Sequence, residues 1–173
     1  KEKIMRYYWG FLFIFCFILS RGLCQVGEKV QDVKILNSSD KRVGLPGFGE
    51  KNLLIFYADP SHAKQNKNLQ DYFKAHRITG VNVDSYGVVN LAAAPLIPDK
   101  VIKRKAAKAV QGTGGQVYFD TDAALSKAWN LKNANNASCV ILVDKDRIIR
   151  FYKAGQVSRQ EMQQVINTVN DWK

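Results

Sequence analysis

The chain has 173 residues, with 26 Lys+Arg against 15 Asp+Glu for a net charge of +11, and is 46% hydrophobic and 11% aromatic. That length fits one domain with a short appendage and excludes a long repeat array or a multidomain enzyme, while the aromatic content excludes a disordered chain. Two histidines and three cysteines, with no C-x-x-C and no H-x-x-x-H spacing, offer neither a structural zinc site nor a cofactor motif.

The first segment sets Lys1, Lys3 and Arg6 ahead of an apolar run from Tyr7 to Leu19, after which the chain turns polar at Ser20 and Arg21. A positive stretch followed by a 13-residue apolar run, short for a bilayer-spanning helix, is the layout of a secretory signal. Met5 is an alternative start. Gly22-Leu23-Cys24 supplies the cleavage site of a signal at residues 1–24, leaving Gln25 as the mature N-terminus of a domain at 25–173 in the periplasm or outside the cell. An uncleaved membrane anchor and a lipoprotein acylated on Cys24 are the other readings. Cleavage removes four cations and one carboxylate, so +11 becomes +8. It also removes Cys16 and Cys24, so the single thiol Cys139 enters an oxidising compartment with no internal partner.

Residues Gln25 to Gly49 are turn-rich, with a short lead-in strand predicted at Val33 to Leu36. Asn52 to Ala58 is a continuous apolar run, the mark of a strand buried on both faces. Asp59-Pro60 then reads as a helix start, Asp at the N-cap and Pro at the first position, with Leu69, Tyr72, Phe73 and His76 following at helical spacing. Gly80 to Leu91 is the next strand region. Pro98 to Val110 predicts a helix with Ile102, Ala106, Ala109 and Val110 on its apolar stripe and Lys100, Lys103, Arg104, Lys105 and Lys108 fanned over the opposite face.

Val117 to Asp120 is a short strand and Thr121 to Trp129 a short helix capped by Thr121 or Asp122. Cys139 to Asp144 and Ile148 to Lys153 flank a tight Lys145-Asp146-Arg147 turn, which predicts an antiparallel hairpin. In the last helix, Ser158 to Trp172, Ser158 caps, Glu161 completes a capping box, and Met162, Val165, Ile166, Val169 and Trp172 line the buried face. Strands alternating with helices predict a three-layer α/β domain, and the closing hairpin predicts a mixed sheet.

Three segments carry a resemblance: LLIFYADPSHAK at Leu53 to Lys64, FDTDAALSKAWNL at Phe119 to Leu131, and ILVDKDRIIRFYKAG at Ile141 to Gly155. They resemble the thioredoxin-fold redoxins of the TlpA and peroxiredoxin type and frame nearly all of residues 26–172. Within that fold the chain is most similar to the exported YtfJ-type family, in its signal sequence, its degenerate site and its closing hairpin and helix. The resemblance implies a thioredoxin-like α/β fold with a mixed sheet flanked by helices. In redox-active relatives the strand leaves as F-W-A-x-W-C-x-x-C, placing the first thiol at a helix N-terminus that stabilises its thiolate.

Laying FYA on FWA puts Ser61 at the first cysteine position and Lys64 at the second, so the motif is Ser61-His62-Ala63-Lys64. A serine hydroxyl has no oxidation ladder of the thiol kind, so neither disulfide exchange nor peroxide reduction runs there. The position that faces the thiols as a cis-proline in relatives falls near Ser138.

The expected function is therefore a non-catalytic binding or interaction module of the periplasm or envelope, working through a degenerate site at Ser61, His62, Lys64 and Ser138. Its expected partner is another envelope protein or a small anionic ligand held by Ser61, His62, Lys64 and the neighbouring N–H groups. A Ser61–His62 nucleophilic pair is disfavoured, because adjacent helical residues point about 100° apart and Asp59 is the cap. Cys139 is either a small buried apolar residue or the exposed thiol of an oxidoreductase, the alternative function.

Asp120 and Asp122 read as a strand end and a helix cap, against an acid and base pair or a cation site. The basic helix face reads as solubilising or as a contact for anionic lipid or an acidic protein. Nucleic acid, which would make the chain a regulator, is disfavoured for an exported protein whose basic stretch lacks interleaved aromatics. Asn37-Ser38-Ser39 and Asn136-Ala137-Ser138 fit the glycosylation acceptor pattern and carry no functional weight.

Overall fold

Among the described residues of the computed structural model, which are 25–76, 78, 82–111 and 115–173, seven strands form one mixed sheet. The expected signal at 1–24 lies outside them. In chain order the elements are β1 (Ile35–Leu36), β2 (Arg42–Val43), β3 (Asn52–Ala58), α1 (Lys67–Ala75), β4 (Val83–Asn90), α2 (Asp99–Val110), β5 (Val117–Asp120), α3 (Ala124–Ala128), β6 (Ser138–Val143), β7 (Ile149–Ala154) and α4 (Arg159–Asp171). The spatial order is β2-β1-β5-β4-β3-β6-β7. β3 runs parallel to β4 and antiparallel to β6, β4 runs parallel to β5, and β6 and β7 form the expected antiparallel hairpin.

The continuous apolar run of β3 is explained by its place inside the sheet, where both faces are covered. Leu53, Ile55 and Tyr57 join Tyr86, Val88 and Ile141 on one face, under Leu125 of α3 and Trp129. Leu54 joins Val140 and Leu142 on the other, packed against Leu69 and Phe73 of α1 and Val165, Ile166 and Val169 of α4. Further along that second face, Ile102 of α2 packs on Phe119 of β5. These are the three layers the sequence predicts, and each fully buried aliphatic side chain contributes about 1.5–3 kcal/mol relative to exposure. α4 carries the expected capping box: Ser158 N–H donates to Glu161 Oε2 at 2.7 Å and Glu161 N–H donates to Ser158 Oγ at 3.2 Å.

Four local expectations are corrected. Asp59 caps and Pro60 opens a helix as expected, but it is only a 3₁₀ turn, Pro60–His62, and α1 begins at Lys67, because the side chains of Gln65 and Asn66 bind distant groups and hold the intervening backbone in turns. α3 is capped not by Thr121 or Asp122 but by the carboxylate of Asp120, which accepts the N–H groups of Ala124 and Leu125 at 2.8 and 2.9 Å. The buried line of α2 is Ile102 with half-buried Ala106, while Ala109 is exposed. The lead-in strand shrinks to Ile35–Leu36 and pairs with the unforeseen β2 through a turn in which Asn37 Oδ1 accepts the N–H groups of Ser39 and Lys41.

Candidate functional site

The C-terminal end of β3 delivers the chain at Ala58 into Asp59, whose backbone N–H donates to Ala137 O at 3.1 Å. Asp59 is buried, and its carboxylate organises the turn that follows: Oδ1 accepts the Ser61 N–H at 2.7 Å and Oδ2 lies 3.1 Å from His62 Nδ1. The N–H that an incoming anion would use is thus already occupied, with a carboxylate behind it. Ser61, Ala63 and Lys64 are exposed and His62 is half-buried, its ring turned to Asp59. The Ser61 hydroxyl makes no hydrogen bond to His62 among the described residues, so no nucleophilic pair is assembled.

Ser138, the first residue of β6, lies opposite Ala58 in the register and therefore at the same end of the sheet. Its N–H donates to Gln65 Oε1 at 2.8 Å, and its carbonyl accepts from Asn66 Nδ2 and the Gly155 N–H, each at 3.1 Å. Asn66 is 1% exposed; Nδ2 also donates to Gly155 O at 3.0 Å and Oδ1 accepts from Val157 N–H at 2.9 Å. One buried amide thereby ties the Ser61 turn to β6 and to the loop entering α4. The Ser138 hydroxyl is buried and has no hydrogen-bond partner among the described residues, and the described peptide bonds include none in the cis form.

Gln65 and Asn66 are the residues sequence reasoning missed. In the linear chain they pass for the polar face of the helix expected from Pro60 onward, and their partners lie 72 to 91 positions away.

Cys139 follows Ser138, but successive strand residues point to opposite faces, and its thiol enters the core with Ile55, Tyr57 and Leu125. It is 0% exposed, and its Sγ lies 3.5 Å from the Tyr152 hydroxyl. Burial pushes the thiol up to about 11, partly offset by that hydroxyl. A group so placed holds its proton at neutral pH, the reverse of the lowered pKa that a nucleophilic cysteine needs.

Asp120 and Asp122 diverge. Asp120 is buried, capping α3 and accepting the Tyr57 hydroxyl at 3.1 Å, whereas exposed Asp122 faces Arg42 at 3.8 Å. Burial first and the Asp120 charge second push the Tyr57 hydroxyl far above its ordinary value. Among the described residues no group of three or more His, Cys, Asp or Glu is placed to hold a metal ion.

Of the five basic residues on α2, Lys103 leaves the row: its Nζ lies 2.5 Å from Asp40 Oδ1 and 5.6 Å from the centre of the Phe119 ring. Lys100, Arg104, Lys105 and Lys108 are exposed, with no ion pair among the described residues. A cleft of about 520 Å³ opens between the start of α1 and the loop from β7 to α4, lined by Gln65, Asn66, Leu69, Lys153, Val157 and Met162. None of Ser61 to Lys64 lines it; Gln65, which follows Lys64 in the chain, is the lining residue next to that turn.

Comparison with known proteins gives the family and the fold. The model of a family described as bacterial protein of unknown function (YtfJ_HI0045) matches residues 58–172. An uncharacterized protein of Haemophilus influenzae is 28% identical over 124 residues, 70% of this chain and 66% of that protein, so the match spans just under two thirds of the relative's length. Among solved structures, the exposed lipoprotein thioredoxin of Streptococcus pneumoniae is similar at a TM-score of 0.60 and 12% identity, covering 82% of this chain and 99% of that one. A peroxiredoxin-like protein from Aquifex aeolicus is similar at 0.58 and 13%, covering 86% and 87%. At such identities the likeness establishes a thioredoxin-like fold and leaves activity to the site.

Proposed function

We propose, for a chain that belongs to the YtfJ_HI0045 family and carries a thioredoxin-like fold, a role as a redox-inert binding module of the periplasm or envelope. The observation that carries this reading is the state of the thiol. Ser61 stands where redox-active relatives of this fold place their first cysteine, and Cys139, the thiol among the described residues, is sealed in the core and held protonated.

The recognition surface is the exposed Ser61-His62-Ala63-Lys64 turn with the cleft beside it. Its rigidity supports that role, since Asp59, Gln65 and Asn66 fix the turn and little order is left to impose on binding. The Asp59 carboxylate favours a protein segment carrying hydrogen-bonding groups over a small anion, which would meet an occupied N–H. The export half of the proposal is supported by the signal layout of residues 1–24.

An insulin-reduction assay on the wild type and Cys139→Ser tests the redox half, and both proteins are expected to stay at the background rate. A rate that depends on Cys139 contradicts the proposal and restores the oxidoreductase. Subcellular fractionation with N-terminal sequencing tests the export half: a form starting at or near Gln25 outside the cytoplasm is expected, and a full-length cytoplasmic chain contradicts it.

A further inference from the structure

Between β4 and α2 the chain displays an apolar tip that the binding surface does not use. Ala94 N–H donates to Leu91 O at 3.1 Å and Ile97 N–H donates to Ala94 O at 3.0 Å, closing a turn with Pro95 and Leu96 at its corners. Leu96 is 95% exposed and Ile97 40%. Pro95 and Pro98 fix their own φ angles on either side, so the tip is held out by the backbone. An exposed leucine taken singly is ordinary on a protein surface. This one stands at the head of a row of cations.

α2 starts two residues beyond the tip. Ile102 and Ala106 face the sheet, and Lys103 is drawn to Asp40 and the Phe119 ring, which sets the rotation of the helix. Residues four apart share a helix face, so Lys100, Arg104 and Lys108 form one row turned away from the sheet, with exposed Lys105 at its side. None of the four has a carboxylate within ion-pair distance among the described residues. The apolar stripe of α2 is consumed by the sheet, so the helix cannot itself sink into an interface as a free amphipathic helix would. The apolar component of any contact has to come from the tip.

We infer that the Leu96–Ile97 tip and the Lys100–Arg104–Lys108 row form a docking surface for a bilayer carrying anionic headgroups. The two apolar side chains enter the headgroup boundary, and the cations lie along the phosphates. Charge complementarity favours lipid: apart from exposed Asp99 at its start, the only charged groups on the solvent side of α2 are cations, none in an ion pair among the described residues, and each such cation near an anionic bilayer adds a separate increment of attraction. An apolar part of two exposed side chains suits a shallow insertion at the headgroup boundary. No helix among the described residues is long and apolar enough to cross a membrane, so this contact is peripheral. It orients the domain on the surface and leaves the Ser61 turn and its cleft at a different element.

Hydrogen–deuterium exchange of the full chain on vesicles tests the inference, comparing phosphatidylcholine alone with phosphatidylcholine plus phosphatidylglycerol. The apolar run at Tyr7 to Leu19 can hold the chain on either vesicle, so the contrast isolates the charged face. Protection of the peptide covering 91–104 is expected on the anionic vesicles only. Leu96→Ser is expected to raise the lipid concentration at half-protection about tenfold, and Arg104→Glu about fivefold or more. Equal protection on neutral vesicles, or none on either, overturns the inference. Protection by polyglutamate with none on the anionic vesicles also overturns it and assigns the face to an acidic protein.

Discussion

Three buried side chains at the end of the sheet have separable roles. Asn66 is buried with its amide fully engaged, so Asn66→Ala leaves the Ser138 and Gly155 carbonyls and the Val157 N–H each short of a partner. At about 1 kcal/mol net for each bond, more where a buried group is stranded, the loss is about 3 kcal/mol by urea unfolding. Ser138→Ala has the opposite expectation. Its hydroxyl is buried without a partner, so removing the oxygen leaves stability unchanged or raises it by about 1 kcal/mol in the same measurement.

Cys139 adds a pH dependence of definite sign. Its thiol is raised from 9.0 to about 11 in the folded state, so the stability contributed by the buried neutral form is fully present below pH 9 and lost as pH rises through about 11. The loss is about 3 kcal/mol, and the raised hydroxyls of Tyr57, Tyr86 and Tyr152 act in the same direction from about pH 10 upward. Cys139→Ala is expected to flatten the wild-type decline between pH 9 and 11, and an unchanged slope contradicts the burial of the thiol.

At the scale of elements, what local chemistry sets was readable in advance. β3 declared itself by six consecutive residues with no polar face after Asn52, and the β6–β7 hairpin by two apolar runs around a short charged turn. α4 declared its start by Ser158 and Glu161. Ser158→Ala is expected to cost about 1 kcal/mol, measured by thermal unfolding, because both halves of the capping box are formed. Lowered by its bond to Lys153 and by the Ser158 cap, the Glu161 carboxyl contributes its share above the ordinary carboxylate range and loses it as pH falls through its folded value.

The start of α1 was not readable. Asp59-Pro60 satisfies every local rule for a helix start, yet Gln65 and Asn66 are claimed by residues that no nearby sequence names, and those distant bonds outweigh the local preference. The same holds for Asp120, whose carboxylate reaches past Thr121 and Asp122 to cap α3 while accepting the Tyr57 hydroxyl from another strand. The Ser61-His62-Ala63-Lys64 motif was legible only through its alignment with relatives. That Asp59 fills the N–H of Ser61 follows from its expected place as the cap, and the structure bears it out.

For the molecule as a whole, the sheet positions two exposed regions built differently. One is the Ser61 turn and its cleft, held by buried polar side chains at the end of β3 and β6. The other is the apolar tip and cationic row of α2. The scaffold is a thioredoxin-like fold, and the proposed redox-inert role rests on Ser61 at the end of β3 and on the burial of Cys139. Its lone described thiol sits where packing, not reactivity, explains it, since a small apolar residue fills the space between Ile55, Tyr57 and Leu125.

The most direct test of the proposed redox-inert role is alkylation of the native full chain with iodoacetamide, read by mass spectrometry on the tryptic peptide of residues 133–145, which contains Cys139 and neither Cys16 nor Cys24. A sealed thiol predicts no label on that peptide until denaturant is added, and then complete label. Label on the native protein at neutral pH contradicts it.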